Sequence, residues 1–274
     1  MRRFPIPEDW AERVVRIDLI GAGGTGSQVA DQLASMETTL RALGHPGFEV
    51  TVYDGDLVTN ASVGRSRFTP ADIGHPKAVL LAHRIGLFYN VGWQAVPQHH
   101  RGSTNADLVI TCVDSALFRA GLGKQFSKRH SESLWIDFGN GDHQAQVILG
   151  HLGRPTSERR LPNVFDLFPE LEHMAAADRE APSCSAEEAI RRQPWPINRV
   201  VATLGMELLW TLFRNGAIQH HGYTLTLNPL VTTHMPIDPA VWEFYGYQGA
   251  EWNAQVVANQ KGVRTRRRRT ATTA

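Results

Sequence analysis

Cysteine is scarce in this chain, with Cys112 and Cys184 the only two among 274 residues. Two thiols cannot form the disulfide framework of a small secreted domain, and they cannot supply a four-thiolate zinc site. Paired Cys-x-x-Cys motifs are absent, and the adjacent histidine pairs lack the spacing of a structural metal site. The composition therefore predicts a cytoplasmic protein without a zinc site.

Long apolar runs are also missing. The longest, Val200–Phe213, is interrupted by Glu207 and is shorter than the roughly 20 residues that a membrane-spanning helix needs. The N-terminal Met-Arg-Arg-Phe-Pro leads into polar residues instead of the apolar core of a signal peptide. We therefore expect no membrane partner.

A strong net charge is absent too, but the balance of +1 hides an asymmetry. Six cations (Lys261, Arg264 and Arg266–Arg269) follow the last acidic residue, so the rest of the chain carries about −5. We expect residues 1–258 to form one domain and residues 259–274 a disordered basic tail. Only this tail suits nucleic acid or an acidic partner, and a solvated terminal run is the alternative.

The chain does have a glycine-rich turn between a strand and a helix. Residues 17–27 read Ile-Asp-Leu-Ile-Gly-Ala-Gly-Gly-Thr-Gly-Ser, and a helical pattern follows at Ser27–Leu43. Gly21, Gly23 and Gly26 allow a phosphate to approach the backbone, where the helix presents free N–H groups and its positive dipole end. The motif predicts a nucleotide phosphate site but does not distinguish NAD, FAD and ATP.

Charged residues after the next strand favour ATP. Asp54 ends the strand Phe48–Tyr53, where an acidic residue binds ribose hydroxyls, and this feature suits NAD equally well. Arg65 and Lys77 follow, however, and hydride transfer does not require them. Such cations are useful where charge develops on a triphosphate and on departing pyrophosphate.

Alternating strands and helices predict an α/β fold with a Rossmann-like doubly wound sheet. Asp114 then lies at the carboxyl end of a strand, at the same edge as the glycine loop and Asp54. The proline-rich segment 151–182 is expected to be a crossover loop without long regular structure. Residues 139–146 could form either a track for a glycine-rich substrate tail or a plain tight hairpin. The predicted strands are 15–20, 48–53, 93–97, 107–113, 134–138 and 144–149, and the predicted helices are 25–43, 76–90, 115–130 and 197–215.

The ordered motifs Gly-x-Gly-Gly-x-Gly, Asp-x-Asp, Arg, Gly-x-Pro-Lys and Cys-Val-Asp-Ser resemble the ThiF/MoeB/ubiquitin-activating-enzyme superfamily over residues 14–230. Two further segments, Ala-Pro-Ser-Cys-Ser-Ala-Glu-Glu-Ala and Ile-Asn-Arg-Val-Val-Ala, are similar to the ThiF-related protein of bacterial PRTRC cassettes. The superfamily resemblance implies that Mg-ATP adenylates the C-terminal glycine carboxylate of a small ubiquitin-like (β-grasp) protein. It also implies a homodimer.

The resemblance assigns roles to residues of this chain. It implies that Arg65 and Lys77 contact phosphates, that Asp54 holds the ribose, and that Asp114 lies near Mg and pyrophosphate. The full nucleotide-binding set is Gly21, Gly23, Gly24, Gly26, Asp54, Asp56, Arg65, Lys77 and Asp114.

Cys184 is the candidate nucleophile. The run Ser185-Ala-Glu-Glu188 has the spacing of a capping box, which would place the thiol just before a helix N-terminus and lower its pKa. In relatives, a cysteine in or near the crossover region can accept the activated acyl group. The alternative is a loop thiol without a role.

Two other functions remain open. An NAD-dependent oxidoreductase would share the glycine loop and Asp54, but it would leave Arg65, Lys77 and Asp114 unexplained. A non-catalytic nucleotide-binding scaffold is consistent with the absent zinc module and with Ser62 in place of the family's asparagine.

Overall fold

Eight strands form one mixed sheet in the computed structural model, which describes residues 2–156, 159–180 and 193–248. Two further short strands, Phe4–Pro5 and Ala217–Ile218, lie outside this sheet. In chain order the strands are β1 Phe4–Pro5, β2 Val15–Ile20, β3 Phe48–Tyr53, β4 Gln94–Val96, β5 Leu108–Thr111, β6 Leu134–Asn140, β7 Gln144–His151, β8 Ala217–Ile218, β9 His220–Thr226 and β10 Val231–Pro236. The helices are α1 Gly24–Ala42, α2 Lys77–Tyr89, α3 Ala116–Phe126, α4 Val164–Leu167, α5 Glu170–Glu180, α6 Ile197–Asn215 and α7 Pro239–Glu243. The sheet order is β10-β9-β7-β6-β5-β2-β3-β4, and β1 pairs with β8 separately.

The parallel half of the sheet is doubly wound, as the sequence predicts. β2, β3, β4, β5 and β6 run parallel, and the strand order reverses at β2. Right-handed crossovers therefore place α1 and α2 on one face and α3 on the other. The reversal opens a crevice at the carboxyl ends of β2 and β5, where ligands bind in sheets of this type.

The antiparallel half extends the sheet beyond β6. β6 and β7 form a hairpin closed by a hydrogen bond from Gly141 N to Gln144 O (2.8 Å), and β9 and β10 continue beside them. α6 packs against α1, β6 and β7. It approaches β6 so closely that a Cβ on Gly205 would overlap the Phe138 ring. This packing brings the first turn of α6 next to the first turn of α1.

Most of the predicted elements are present, several of them at the predicted bounds. Strands 15–20 and 48–53 and helix 197–215 are confirmed. The helix predicted over 115–130 ends at Phe126, because the polar residues after it form a loop that hydrogen-bonds the backbone of Arg154. Among the described residues, no helix is long and apolar enough to cross a membrane.

The expectation that segment 151–182 lacks long regular structure is wrong for its described part. α4 begins there because the Asn163 side chain accepts hydrogen bonds from Phe165 N and Asp166 N. Pro169 immediately precedes α5, a helix of 11 residues, and proline is tolerated at the start of a helix. The prolines therefore separate short helices instead of preventing them.

Candidate nucleotide site

Gly21 and Gly26 let the loop between β2 and α1 fold tightly against the end of β5. Gly21 has a φ of +96°, and a Cβ there would lie 2.7 Å from the carbonyl oxygen of Cys112. A Cβ on Gly26 would overlap the carbonyl oxygen of Gly21. These two glycines are needed for the shape of the loop itself.

Gly23 borders open space. A Cβ on Gly23 would meet no atom of the described residues within 4 Å, and Gly23 directly precedes the first residue of α1. No side chain in the described part of the chain caps the helix there, and the first turn of α1 contains no acidic residue. Unpaired N–H groups and the positive end of the helix dipole therefore face the space beside Gly23, an arrangement that suits a phosphate.

Asp54 fixes the loop from the end of β3. Its carboxylate accepts hydrogen bonds from Ala22 N (2.6 Å) and from Asp56 N (2.8 Å). Burial raises the pKa of Asp54, although both backbone N–H groups and the nearby Lys77 oppose that rise. Each carboxylate oxygen keeps a lone pair for a further donor.

Lys77 and Asp56 form an ion pair beside this loop. Lys77 Nζ lies 2.9 Å from Asp56 Oδ2, and the lysine side chain is largely buried while that of Asp56 is mostly exposed. The Lys77 backbone N–H also donates to the carbonyl of Asp56 (3.0 Å) at the start of α2. The two residues are thus held together by side chain and backbone.

Arg65 lies in a segment that crosses the first turns of α1. Two residues later, Arg67 N donates to Ser27 Oγ (3.1 Å) and the Arg67 guanidinium pairs with Asp31 (3.1 Å). The half-buried Arg65 donates to the side-chain oxygen of Gln193, just ahead of α6. Burial lowers the pKa of Arg65, but a guanidinium stays charged at neutral pH.

Asp114 is exposed after the end of β5, next to Ser115, which caps α3 by accepting from Phe118 N (3.1 Å). Burial and the nearby Asp137 raise the pKa of Cys112, two residues earlier, well above its ordinary value, which disfavours the nucleophilic thiolate form. Cys184 lies outside the described residues. Within the described ranges, no group of three or more His, Cys, Asp or Glu side chains could hold a metal ion.

Sequence reasoning missed a buried ion pair beneath this edge of the sheet. Arg119 of α3 forms a bidentate pair with Asp137 of β6, and Thr111 Oγ1 donates to the same carboxylate (2.5 Å). Trp135 Nε1 in turn donates to Thr111 Oγ1 (2.8 Å). The sequence feature that could have indicated this pair is Asp137, an aspartate inside the apolar strand Leu134–Phe138. The pair holds α3 against the sheet and so fixes the position of Asp114, which lies just before α3.

It also missed Asn198 in the first turn of α6, which is buried beside the glycine loop. Its Oδ1 accepts hydrogen bonds from Thr25 Oγ1 (3.0 Å) and from Asn140 Nδ2 (3.1 Å). A Cβ on Gly24 would lie 2.7 Å from Asn198 Nδ2. Nothing in the local sequence around Asn198 indicates this contact.

A polar cleft of about 290 Å³ lies between β2, β3 and residues 103–106. It is lined by residues including Asp18, Thr51 and Tyr53 and by none of the loop glycines. Asp18 accepts a hydrogen bond from Thr104 Oγ1 (2.6 Å). The cleft is therefore separate from the candidate nucleotide site.

A family model, described as the ThiF family, matches residues 11–230 of this chain. The chain belongs to the ThiF family. The match confirms the superfamily that the ordered motifs predict. The PRTRC association stays a prediction. Comparison with curated protein sequences gave no match.

Solved structures with the same fold include PaaA and Escherichia coli MccB. PaaA aligns with a TM-score of 0.53 at 14% identity, over 81% of this chain and 64% of PaaA. MccB with succinimide aligns with a TM-score of 0.56 at 14% identity, over 81% of this chain and 64% of MccB. MccB with ATP aligns with a TM-score of 0.52 at 12% identity, over 84% of this chain and 65% of MccB. At these identities the likeness shows the fold, and the chain spans slightly less than two thirds of each of these proteins.

Proposed function

We propose that this ThiF-family protein is an ATP-dependent adenylyltransferase that activates the C-terminal glycine carboxylate of a small ubiquitin-like (β-grasp) protein. The observation that carries the proposal is the open space beside Gly23, at the uncapped N-terminus of α1. Asp54 and Lys77 lie beside the same loop, and Arg65 lies on the segment that crosses α1. One structural neighbour, E. coli MccB, has been crystallised with ATP.

Each residue has a defined task in this reaction. A carboxylate oxygen of the protein substrate attacks the α-phosphorus of ATP, the bond from that phosphorus to the bridging oxygen breaks, and pyrophosphate leaves with the bond electrons. The products are an acyl adenylate and pyrophosphate. Arg65 and Lys77 stabilise the charge that develops on the phosphate oxygens.

Asp54 and Asp114 complete the proposed site. The free lone pairs of Asp54 accept the ribose hydroxyls, while its backbone contacts keep the loop in place. Asp114 is exposed at the same edge of the sheet and would hold Mg, an ion that shields charge on the triphosphate. As further parts of the proposal, the protein acts as a cytoplasmic homodimer, and the Cys184 thiolate attacks the acyl carbon of the adenylate to form a thioester while the acyl–oxygen bond breaks and AMP leaves.

Calorimetric titration of the full chain with Mg-ATP and, separately, with NAD tests nucleotide choice. We expect ATP to bind and Lys77→Ala to weaken it at least tenfold, which is about 1.4 kcal/mol, because one phosphate-binding cation is lost. Lys124→Ala is the matched control, since Lys124 is an exposed lysine of α3 and should leave ATP affinity unchanged. Binding of NAD with no response to ATP would instead favour the oxidoreductase.

Exchange of labelled pyrophosphate into ATP tests catalysis. We expect exchange only when a β-grasp protein ending in glycine is added, and we expect loss of exchange when its last glycine is deleted. Asp114→Ala should abolish exchange. ATP binding without exchange for every small protein tested would favour the non-catalytic scaffold.

A further inference from the structure

The buried amide of Asn198 links three parts of the fold that meet at the nucleotide site. Its Oδ1 receives one hydrogen bond from Thr25 in the first turn of α1 and another from Asn140 at the end of β6. Asn198 itself belongs to the first turn of α6. A single side chain therefore joins the glycine loop, the sheet edge and the helix that follows the crossover.

The same contact explains why position 24 is a glycine. The three atoms nearest to a Cβ on Gly24 all belong to Asn198, namely Nδ2 at 2.7 Å, Cγ at 3.0 Å and Oδ1 at 3.3 Å. Gly23 differs, because a Cβ there would meet no atom of residues 2–156, 159–180 and 193–248 within 4 Å. Gly24 thus admits the Asn198 amide, whereas Gly23 leaves room for a ligand.

Gln193, five residues before Asn198, makes a second contact with the candidate nucleotide site. Gln193 accepts a hydrogen bond from Arg65, one of the two cations assigned to the phosphates. The short stretch from Gln193 to Asn198 therefore contacts both the phosphate loop and a phosphate-binding cation. The position of this stretch therefore depends on the positions of the phosphate loop and of Arg65.

We infer that Asn198 is a positioning residue for nucleotide binding. Resting on the proposed function, this inference holds that the Asn198 amide sets the first turn of α1 so that its free N–H groups converge on the ATP phosphates. Preorganised donors bind an anion more tightly than donors that must be ordered during binding. Asn198 acts through its contacts with Gly24 and Thr25.

A double-mutant cycle tests the contact without any ligand. Gly24→Ala and Asn198→Ala should each lower the thermal midpoint by several degrees, the first because its methyl group displaces the amide and the second because two donors lose their acceptor. In the double variant, the new methyl group fills the space that Asn198 vacates. We expect its midpoint to match that of Asn198→Ala alone, and purely additive losses would overturn the inference.

Calorimetry with Mg-ATP, at a temperature where each protein is folded, tests the functional role. We expect Asn198→Ala to weaken ATP binding about tenfold. Asn198→Asp keeps the acceptor oxygen but places an anion beside the loop, so it should weaken ATP more than AMP, which carries less charge. The matched control is Asn215→Asp, an exposed site on the same helix about 25 Å away, which should leave both affinities unchanged.

The outcomes separate the two proposals. If the wild-type protein binds ATP and folded Asn198→Ala binds it equally well, Asn198 has only a structural role and the inference is overturned. If the wild-type protein itself does not bind ATP, the proposed function fails and this inference fails with it. Should Asn198→Ala not fold, the comparison of Asn198→Asp with Asn215→Asp decides the question.

Discussion

The alanine substitutions Gly23→Ala and Gly26→Ala should affect different properties, although the two residues are only three positions apart. We expect the first to weaken mainly ATP binding and the second to lower mainly the free energy of unfolding. A methyl group at position 23 meets no atom of the described residues within 4 Å, and the backbone there combines a φ of −77° with a ψ of −148°, which lies outside the helical and extended regions that alanine prefers. This less favourable ψ and the loss of the glycine N-cap should together lower the free energy of unfolding by about 1–2 kcal/mol, which leaves the protein folded. ATP binding should nevertheless suffer.

The expected loss of affinity follows from the contact that the methyl group prevents. It occupies the space where a phosphate would meet the N–H groups of the first turn of α1. A hydrogen bond to a charged group contributes about 1.5–3 kcal/mol, so losing one should weaken ATP binding about 10- to 100-fold. At position 26, by contrast, the methyl group overlaps the carbonyl oxygen of Gly21, and we expect a loss of about 3 kcal/mol of stability or more.

Urea unfolding and calorimetric ATP titration at the same temperature measure both quantities. The reasoning predicts that Gly23→Ala is folded but binds ATP poorly, and that Gly26→Ala is poorly folded. If folded Gly23→Ala bound ATP within twofold of the wild-type protein, the phosphates would not lie against Gly23 and the site would have to be placed elsewhere. If Gly26→Ala were as stable as the wild-type protein, the proposed tight turn would be wrong.

Two further predictions concern buried charge and pH. Arg119→Met should lower the free energy of unfolding by about 3–5 kcal/mol, because Asp137 is left buried and unpaired, whereas adding Asp137→Leu should restore most of the loss. Urea unfolding measures both variants, and equal stability of the two would contradict the argument. Burial lowers the pKa of His221 to about 4, and its ring is held neutral between the carbonyl of Leu149 and the indole N–H of Trp242. Between about pH 6.5 and pH 4, His221 is protonated in the unfolded chain but stays neutral in the folded protein. Neutral His221 therefore contributes about 3 kcal/mol to the free energy of unfolding above pH 6.5, and this contribution is lost as the pH falls to 4. His221→Gln should therefore show a shallower fall in stability over that range, and an unchanged slope would refute the assignment.

Local patterns in the sequence were enough to predict the frame of the site. Apolar strands followed by glycine or aspartate, as at Gly21 and Asp54, place both residues at the carboxyl ends of neighbouring strands. The helix after the glycine loop follows from its own periodicity. Each of these features depends on residues within one strand–loop–helix unit, and for that reason each could be read from a short stretch of sequence.

The prolines of the crossover show where local rules gave the wrong answer. The prolines of segment 151–182 predict a loop without long regular structure, yet α5, a helix of 11 residues, begins immediately after Pro169. A proline forbids the interior of a helix but not its first turn. Whether a helix follows depends on what it can pack against, and α5 packs on α3.

The sequence by itself determined the doubly wound sheet, the glycine loop and the type of charge gathered around it, because these depend on periodicity and on neighbours along the chain. Only the tertiary structure decided which glycine borders open space among the described residues, since Asn198 lies within 3 Å of a Cβ on Gly24 and no described atom lies within 4 Å of a Cβ on Gly23. The partners of Asp137 and Asn198 were likewise set by the packing of α3 and α6 on the sheet. Thr25 and Asn198 are 173 residues apart in the chain, and no local pattern records a contact between residues so distant.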